Sequence, residues 1–283
     1  MNFIPMSELL ADARAGGYAV PSFCVWNAES MRMVLEVATD LKAPVILMAG
    51  PGDFGLLSPF DWAAVARCMA GRFSVRAALH LDHGNAVSQV EDCLKAGFTS
   101  VMVDFSSRPY HENVQALHRT VELAHPCGVT VEGEIGHVGQ ADTVTLEGAG
   151  DSTLTKPEDA VRFVADTGVD ALAISIGNAH GKYTSLPRFD FERLSAIHAA
   201  VSVPLVLHGG SGTPDADLKR AISLGIAKVN VATDLITAVR ESLLSQWNAG
   251  EKMWLPQAAA VAIETMREPL TRWIQRTGAA GRA

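Results

Sequence analysis

The sequence predicts an α/β protein: a single (β/α)8 barrel of the TIM type over residues 1–283, with a helical extension at about 251–283. Three observations carry that expectation. Eight short apolar runs recur without strict polar alternation, as parallel strands covered on both faces do. Amphipathic stretches separate them. Gly97, Gly128, Gly168 and Gly225 each end such a stretch just before a new run, where glycine supplies the left-handed residue that closes a helix. No Pro/Ser-rich linker, charge block or low-complexity tract divides the chain, and barrels of this kind reach about 250 residues as one unit.

In chain order the expected strands are 18–23, 44–48, 76–81, 100–104, 129–132, 171–176, 204–207 and 228–231. Helical patterns lie between them, at 28–42, 87–96, 113–125, 157–167 and 214–224. Thr155-Lys156-Pro157-Glu158 reads as a capping box opening one helix, and Thr213-Pro214 as a cap with proline in the first turn. Trp247, Trp254 and Trp273 are expected to pack on the barrel or on a partner subunit rather than to bind substrate.

Composition excludes several functions. With 31 acidic and 23 basic residues the net charge is −8, which argues against non-specific nucleic-acid binding. The N-terminus lacks a basic segment followed by an apolar one, and no apolar run approaches the roughly 18 residues that span a bilayer. A soluble, cytoplasmic protein with no membrane partner is expected. Cys24, Cys68, Cys93 and Cys127 are too scattered for a metal or redox pair and read as reduced, buried small hydrophobes.

Polar residues collect just past the C-terminal ends of the expected strands, on the rim where such barrels build their active sites. Asp82 and His83 follow the third strand, Asp104 ends the fourth, and Glu132 and Glu134 leave the fifth. His180 follows the sixth, His208 the seventh, and Asn230 ends the eighth. Three rim imidazoles that leave an open position favour a catalytic zinc arrangement over three unrelated hydrogen-bonded histidines. Each is followed by glycine, read as room for backbone to approach a bound ion or ligand. His111, His118, His125 and His198 fall in helical stretches and read as surface residues, while His80 lies inside a strand as a packed or supporting group. The loop Gly209-Gly210-Ser211-Gly212 and the turn Asn230-Val231-Ala232-Thr233 follow strands seven and eight, the usual phosphate seat of this architecture.

The segments LHLDHG (79–84), VEGEIG (131–136), AISIGNAHGKY (173–183), LVLHGGSGTPD (205–215) and KVNVAT (228–233) resemble those of zinc-dependent, class II ketose-bisphosphate aldolases. The resemblance covers nearly the whole chain and is nearest to the tagatose-bisphosphate branch, because Ala232 stands where the long-chain fructose-bisphosphate branch usually has aspartate. It implies that His83, His180 and His208 hold Zn2+, and that Asp82 exchanges a proton with the hydroxyl beside the bond being cut. It implies further that Gly181, Gly209, Gly210, Ser211, Asn230, Val231, Ala232 and Thr233 hold the dihydroxyacetone-phosphate half, with a monovalent cation (Na+ or K+) near the phosphate. Asp104, Glu132 and Glu134 would support the metal ligands. A phosphorylated ketose substrate, a place in carbohydrate metabolism such as glycolysis, and a homodimer or homotetramer are the matching expectations. Asp82 would need a raised pKa to work near neutrality, and crowding by other carboxylates is one way to raise it.

The resemblance breaks at one point. After VEGEIG the family continues with two glycines and then a glutamate that handles the enediolate proton. This chain reads Gly139-Gln140-Ala141-Asp142, one residue shorter, with Ala141 in the glutamate's place and Asp142 as its substitute. Two further readings compete with a ketose-bisphosphate aldolase. One is an epimerase, or an aldolase for another phosphorylated ketose or keto sugar acid, using the same enediolate chemistry. The other is a non-catalytic binding subunit. A Schiff-base aldolase is disfavoured because Lys182 and Lys228 are placed at strand edges.

Overall fold

The computed structural model describes residues 3–55, 57–139, 154–181, 183, 187–249 and 254–283. Its strands are β1 (Val20–Cys24), β2 (Val45–Ala49), β3 (Ala77–Gly84), β4 (Ser100–Val103), β5 (Thr130–Ile135), β6 (Ala171–Ile174), β7 (Leu205–Leu207) and β8 (Ile226–Val231). They pair in sequence order, all parallel, and β8 returns to β1 to close the barrel. The eight expected strands are all present, with ends shifted by a few residues.

Around the barrel run α2 (Ala28–Asp40), α3 (Pro59–Ala70), α4 (Val87–Ala96), α5 (Tyr110–Ala124), α6 (Pro157–Thr167), α7 (Phe191–Ala200), α8 (Asp215–Ser223) and α9 (Thr233–Asn248). An additional first helix, α1 (Met6–Gly16), stoppers the N-terminal mouth of the barrel. Its entry segment donates Ile4 N–H to the Ala77 carbonyl at 2.9 Å and Ser7 N–H to Thr130 Oγ1 at 2.9 Å, both at strand beginnings. The opposite mouth is left for the polar rim. The C-terminal helices are α10 (Leu255–Glu264) and α11 (Arg267–Arg276). Trp273 of α11 is wholly buried and donates its Nε1–H to Asp234 Oδ2 at 2.8 Å, so it packs on the barrel as expected. Trp247 and Trp254 do not: they are 73% and 71% exposed on this chain.

Local expectations fare unevenly. The four helix-closing glycines all have positive φ, from 69° to 108°. The two expected caps are wrong. Lys156 and Pro214 occupy the N-cap positions of α6 and α8, without side-chain capping. Thr155 instead donates from Oγ1 to the Ile135 carbonyl (2.5 Å) and accepts Ser175 N–H (2.8 Å), tying β5 to the end of β6. Tertiary partners outcompete the local cap because they satisfy two otherwise orphaned backbone groups. Cys93 is buried and Cys24 half-buried, but Cys68 and Cys127 are exposed, because helix faces rather than residue type decide where they lie. Of the four helical histidines, His111, His118 and His125 are exposed and His198 is half-buried against Gly225. Among the described residues no helix is long and apolar enough to cross a membrane.

Candidate active site

Strand alternation builds the site. Successive side chains on a strand point to opposite faces, so residues two apart share the barrel interior. Three strands each contribute two polar residues in this way. On β3 these are His80 and Asp82, on β5 Glu132 and Glu134, and on β8 Lys228 and Asn230. The intervening residues Leu79, Leu81, Val131, Val229 and Val231 are apolar and fully buried. Glu132 and Glu134 therefore lie within β5 rather than leaving it, and Lys228 lies within β8, wholly buried, rather than at its edge. The alternation of Lys228 with Asn230 was the available signal for that placement.

His83 reaches the centre by a backbone irregularity. The register of β3 on β4 shifts between Leu81 and Gly84, and His83 has φ +48°, a conformation few non-glycine residues adopt. Gly84 follows for a reason other than ligand access: a Cβ there would come within 2.6 Å of the Met102 carbonyl. Gly209 is similar, since a Cβ would lie 2.0 Å from the Ala179 carbonyl. These glycines let neighbouring backbones touch.

His83, His180 and His208 converge. One ring nitrogen from each lies within 4.8 Å of the others, and ring centroids are 4.7 to 5.7 Å apart. Each ring has one nitrogen tied. His83 Nδ1 is 2.6 Å from Asp104 Oδ2, His180 Nδ1 is 3.2 Å from the Val138 carbonyl, and His208 Nε2 is 2.8 Å from Glu132 Oε1. The other nitrogens, His83 Nε2, His180 Nε2 and His208 Nδ1, are buried with no hydrogen-bond partner, and so is Glu134 Oε2. His208 Nδ1 lies 3.1 Å from Glu134 Oε2 without hydrogen-bond geometry. Buried ring nitrogens are seldom left bare. A set with one nitrogen anchored and the other bare and converging suits a metal ion. Asp104 and Glu134 also form a second such group with His83, and His80, Asp82 and Glu132 a third.

Electrostatics separate the three rings. Burial works against a charged His208, but Glu132 and Glu134 outweigh it and push its pKa up to about 10. Burial, with His208 and His83 nearby, pushes His180 down to about 4. Asp82 has Glu132 in its own cluster, but positive or protonatable groups dominate its surroundings. Burial alone would raise its pKa, but His83, His80 at 3.7 Å, His208 and Lys228 hold it well below the usual carboxylate range. The upward shift that work near neutrality would need is therefore not present, and Asp82 is ionised. Asn230 Nδ2–H donates to its Oδ1 at 2.9 Å and fixes its direction.

The loops after β6, β7 and β8 are joined beside this cluster. Tyr183 Oη accepts Ala179 N–H (2.9 Å) and donates to the Gly209 carbonyl (3.2 Å). Gly210 N–H donates to the Asn230 carbonyl at 2.9 Å, and Asp234 N–H to Ser211 Oγ at 3.2 Å. Ala232 caps the sixteen-residue α9 with no side-chain hydrogen bond, so its first turn presents backbone N–H groups toward the Gly209–Ser211 loop. Gly181, Val231 and Thr233 lie in these same connections. Ser106, which nothing in its local sequence pattern marks, donates from Oγ to Glu134 Oε1 at 2.9 Å. Gln140, Ala141, Asp142 and Lys182 lie outside the described residues.

The sequence profile described as fructose-bisphosphate aldolase class-II matches residues 4–282. The chain belongs to that family. It is an aldolase, a carbon–carbon lyase of a family that is typically metal-dependent. Its fold is similar to that of the YdjI aldolase from Escherichia coli K12, with 35% identity over 99% of each chain and a TM-score of 0.88. A fructose-bisphosphate aldolase (Fba) from Campylobacter jejuni shares the fold alone, at 22% identity over 100% of this chain and 97% of that one, with a TM-score of 0.84.

Proposed function

We propose that this aldolase is zinc-dependent and reversibly cleaves a ketose 1,6-bisphosphate of tagatose or fructose type, or a related ketose 1-phosphate, to dihydroxyacetone phosphate and an aldehyde. One observation carries the metal: three rings, each with one nitrogen anchored and the other bare and aimed at a common point. His83, His180 and His208 would hold Zn2+, which as a Lewis acid stabilises negative charge developing on the substrate's ketone oxygen.

The remaining chemistry belongs to the chain's own groups. Asp82, ionised and directed by Asn230, accepts the proton of the hydroxyl on the carbon that becomes the aldehyde. The carbon–carbon bond breaks with its electron pair left on the phosphorylated half. That carbon then takes a proton, for which Asp142 is the proposed donor. Asp104 and Glu132 hold two of the rings in place, and Glu134 lines the centre. Gly181, Gly209, Gly210, Ser211, Asn230, Val231, Ala232 and Thr233 take the phosphate through backbone N–H groups and the first turn of α9, with Na+ or K+ beside it. The enzyme works in the cytoplasm as a homodimer or homotetramer.

The test is a panel of phosphorylated ketoses offered to protein carrying one equivalent of zinc, with triose-phosphate release followed by a coupled dehydrogenase. Release that stops with chelator and returns with zinc is expected. A fully zinc-loaded protein releasing no triose phosphate from any member would overturn the reading. For Asp142, hydrogen exchange between water and dihydroxyacetone phosphate should slow in Asp142→Ala, and an unchanged rate would remove that residue from the scheme.

A further inference from the structure

Lys228 is a charged residue in the middle of a barrel strand, and it takes no direct part in the reaction above. It is wholly buried, as are Glu132 and His80. Its Nζ donates to Glu132 Oε2 at 2.8 Å and lies 3.4 Å from His80 Nε2. Strand alternation places these three residues in one layer, two positions (about 6.6 Å along each strand) beneath Asp82, Glu134 and Asn230. Burying an ammonium and a carboxylate together is costly, and an apolar pair of similar volume would often serve stability as well. The pair therefore calls for a role other than stability.

Glu132 supplies that role through its two oxygens. Oε2 takes the ammonium, and Oε1 takes the Nε2–H of His208 at 2.8 Å. The geometry is a strut running Lys228–Glu132–His208, at whose end the bare Nδ1 of His208 faces His83 and His180. We infer that Lys228 is a positioning residue: it pins the Glu132 carboxylate so that His208 offers Nδ1, in a fixed direction, to the metal. The inference rests on the histidine-held metal proposed above. Without the ammonium, Glu132 becomes a buried charge with one oxygen unpaired. It turns away to find a donor, and the His208 ring loses its anchor. Partners of metal-binding histidines commonly contribute about 10–100-fold to metal affinity, and Lys228 would act at one further remove through such a partner.

Three full-length variants test this: Lys228→Met, Glu132→Gln, and both together. Zinc affinity is measured by chelator competition, and the ligand field by the visible bands of the cobalt-substituted proteins. Lys228→Met is expected to bind zinc at least tenfold more weakly, with altered cobalt bands. The double variant is expected to recover at least tenfold over Lys228→Met, because an amide oxygen can accept Nε2–H without a counter-ion. Wild-type affinity and bands in Lys228→Met would overturn the inference, and so would a double variant no better than Lys228→Met. Should Lys228→Met not fold, Glu132→Gln is compared with the double variant. Equal affinities within about twofold support the strut, and a further tenfold loss refutes it. A wild-type protein that takes up neither zinc nor cobalt would instead sink the metal reading, and this inference with it.

Discussion

The two faces of β5 can be compared residue by residue. Glu132 and Glu134 point into the barrel and are 0% and 1% exposed, each within 3.1 Å of a His208 ring nitrogen. Gly133, between them, faces the helices, where an added Cβ would meet Leu117 at 2.9 Å, Val169 at 3.0 Å and Phe163 at 3.2 Å. Both faces are closed to water, yet different terms govern them. On the helix side the controlling quantity is volume, because the space is filled to crystal-like density. On the barrel side it is charge and hydrogen-bond satisfaction, because every ionised group must find a partner where water cannot serve.

That contrast can be broken by experiment. The largest expected effect is at the centre: His208→Ala should abolish stoichiometric zinc and cleavage together while the barrel still folds. Full zinc content by elemental analysis, with unchanged affinity, would contradict it. Asp82→Asn is expected to keep zinc and lower turnover by about 100-fold or more, the usual scale for a lost proton-transfer group. Near-normal turnover would reassign the role. On the other face, Phe163→Ala should cost about 3–5 kcal/mol of unfolding free energy in denaturant titrations, from the cavity it leaves. Its zinc affinity should match wild type, and a loss there would erase the distinction between the two faces.

The smallest expected effect concerns the cysteines. Burial first, with Asp53 and Asp82 adding to it, pushes the Cys24 thiol far above its ordinary value, and burial pushes Cys93 up to about 12. Both thiols are therefore protonated, and unreactive, at neutral pH. Iodoacetamide at pH 7.5 should label only the exposed Cys68 and Cys127, leaving zinc content and turnover unchanged. Labelling of Cys24 by mass spectrometry would show that the barrel mouth is more open than its packing implies.

Much of this was legible in the chain. Eight apolar runs, helix-closing glycines and polar residues at the run ends located the barrel and its active rim. Those signals are short-range, because a strand's burial on both faces and a helix's need for a left-handed closing residue are written in consecutive residues. The convergence of His83, His180 and His208 was also legible, since each follows a strand end and a barrel brings strand ends to one mouth. Capping misled at Thr155, because what satisfied the surrounding backbone lay across the structure rather than in the next turn.

What the sequence determined by itself, then, was the architecture, the family and the set of chemical groups at the mouth. Periodicity and motif identity are properties of the chain, and the barrel's closure makes their meeting place a consequence of topology. Only the tertiary structure decided the states of those groups. Asp82 would need a raised pKa to work near neutrality and is instead held ionised by His83, His80, His208 and Lys228. Lys228 was placed at an edge and is instead buried inside β8, on Glu132. A charge's state depends on what stands within a few ångströms of it in a medium that screens weakly. Those neighbours come from β3, β5, β8 and the loop after β7, separated by as many as 148 residues of chain.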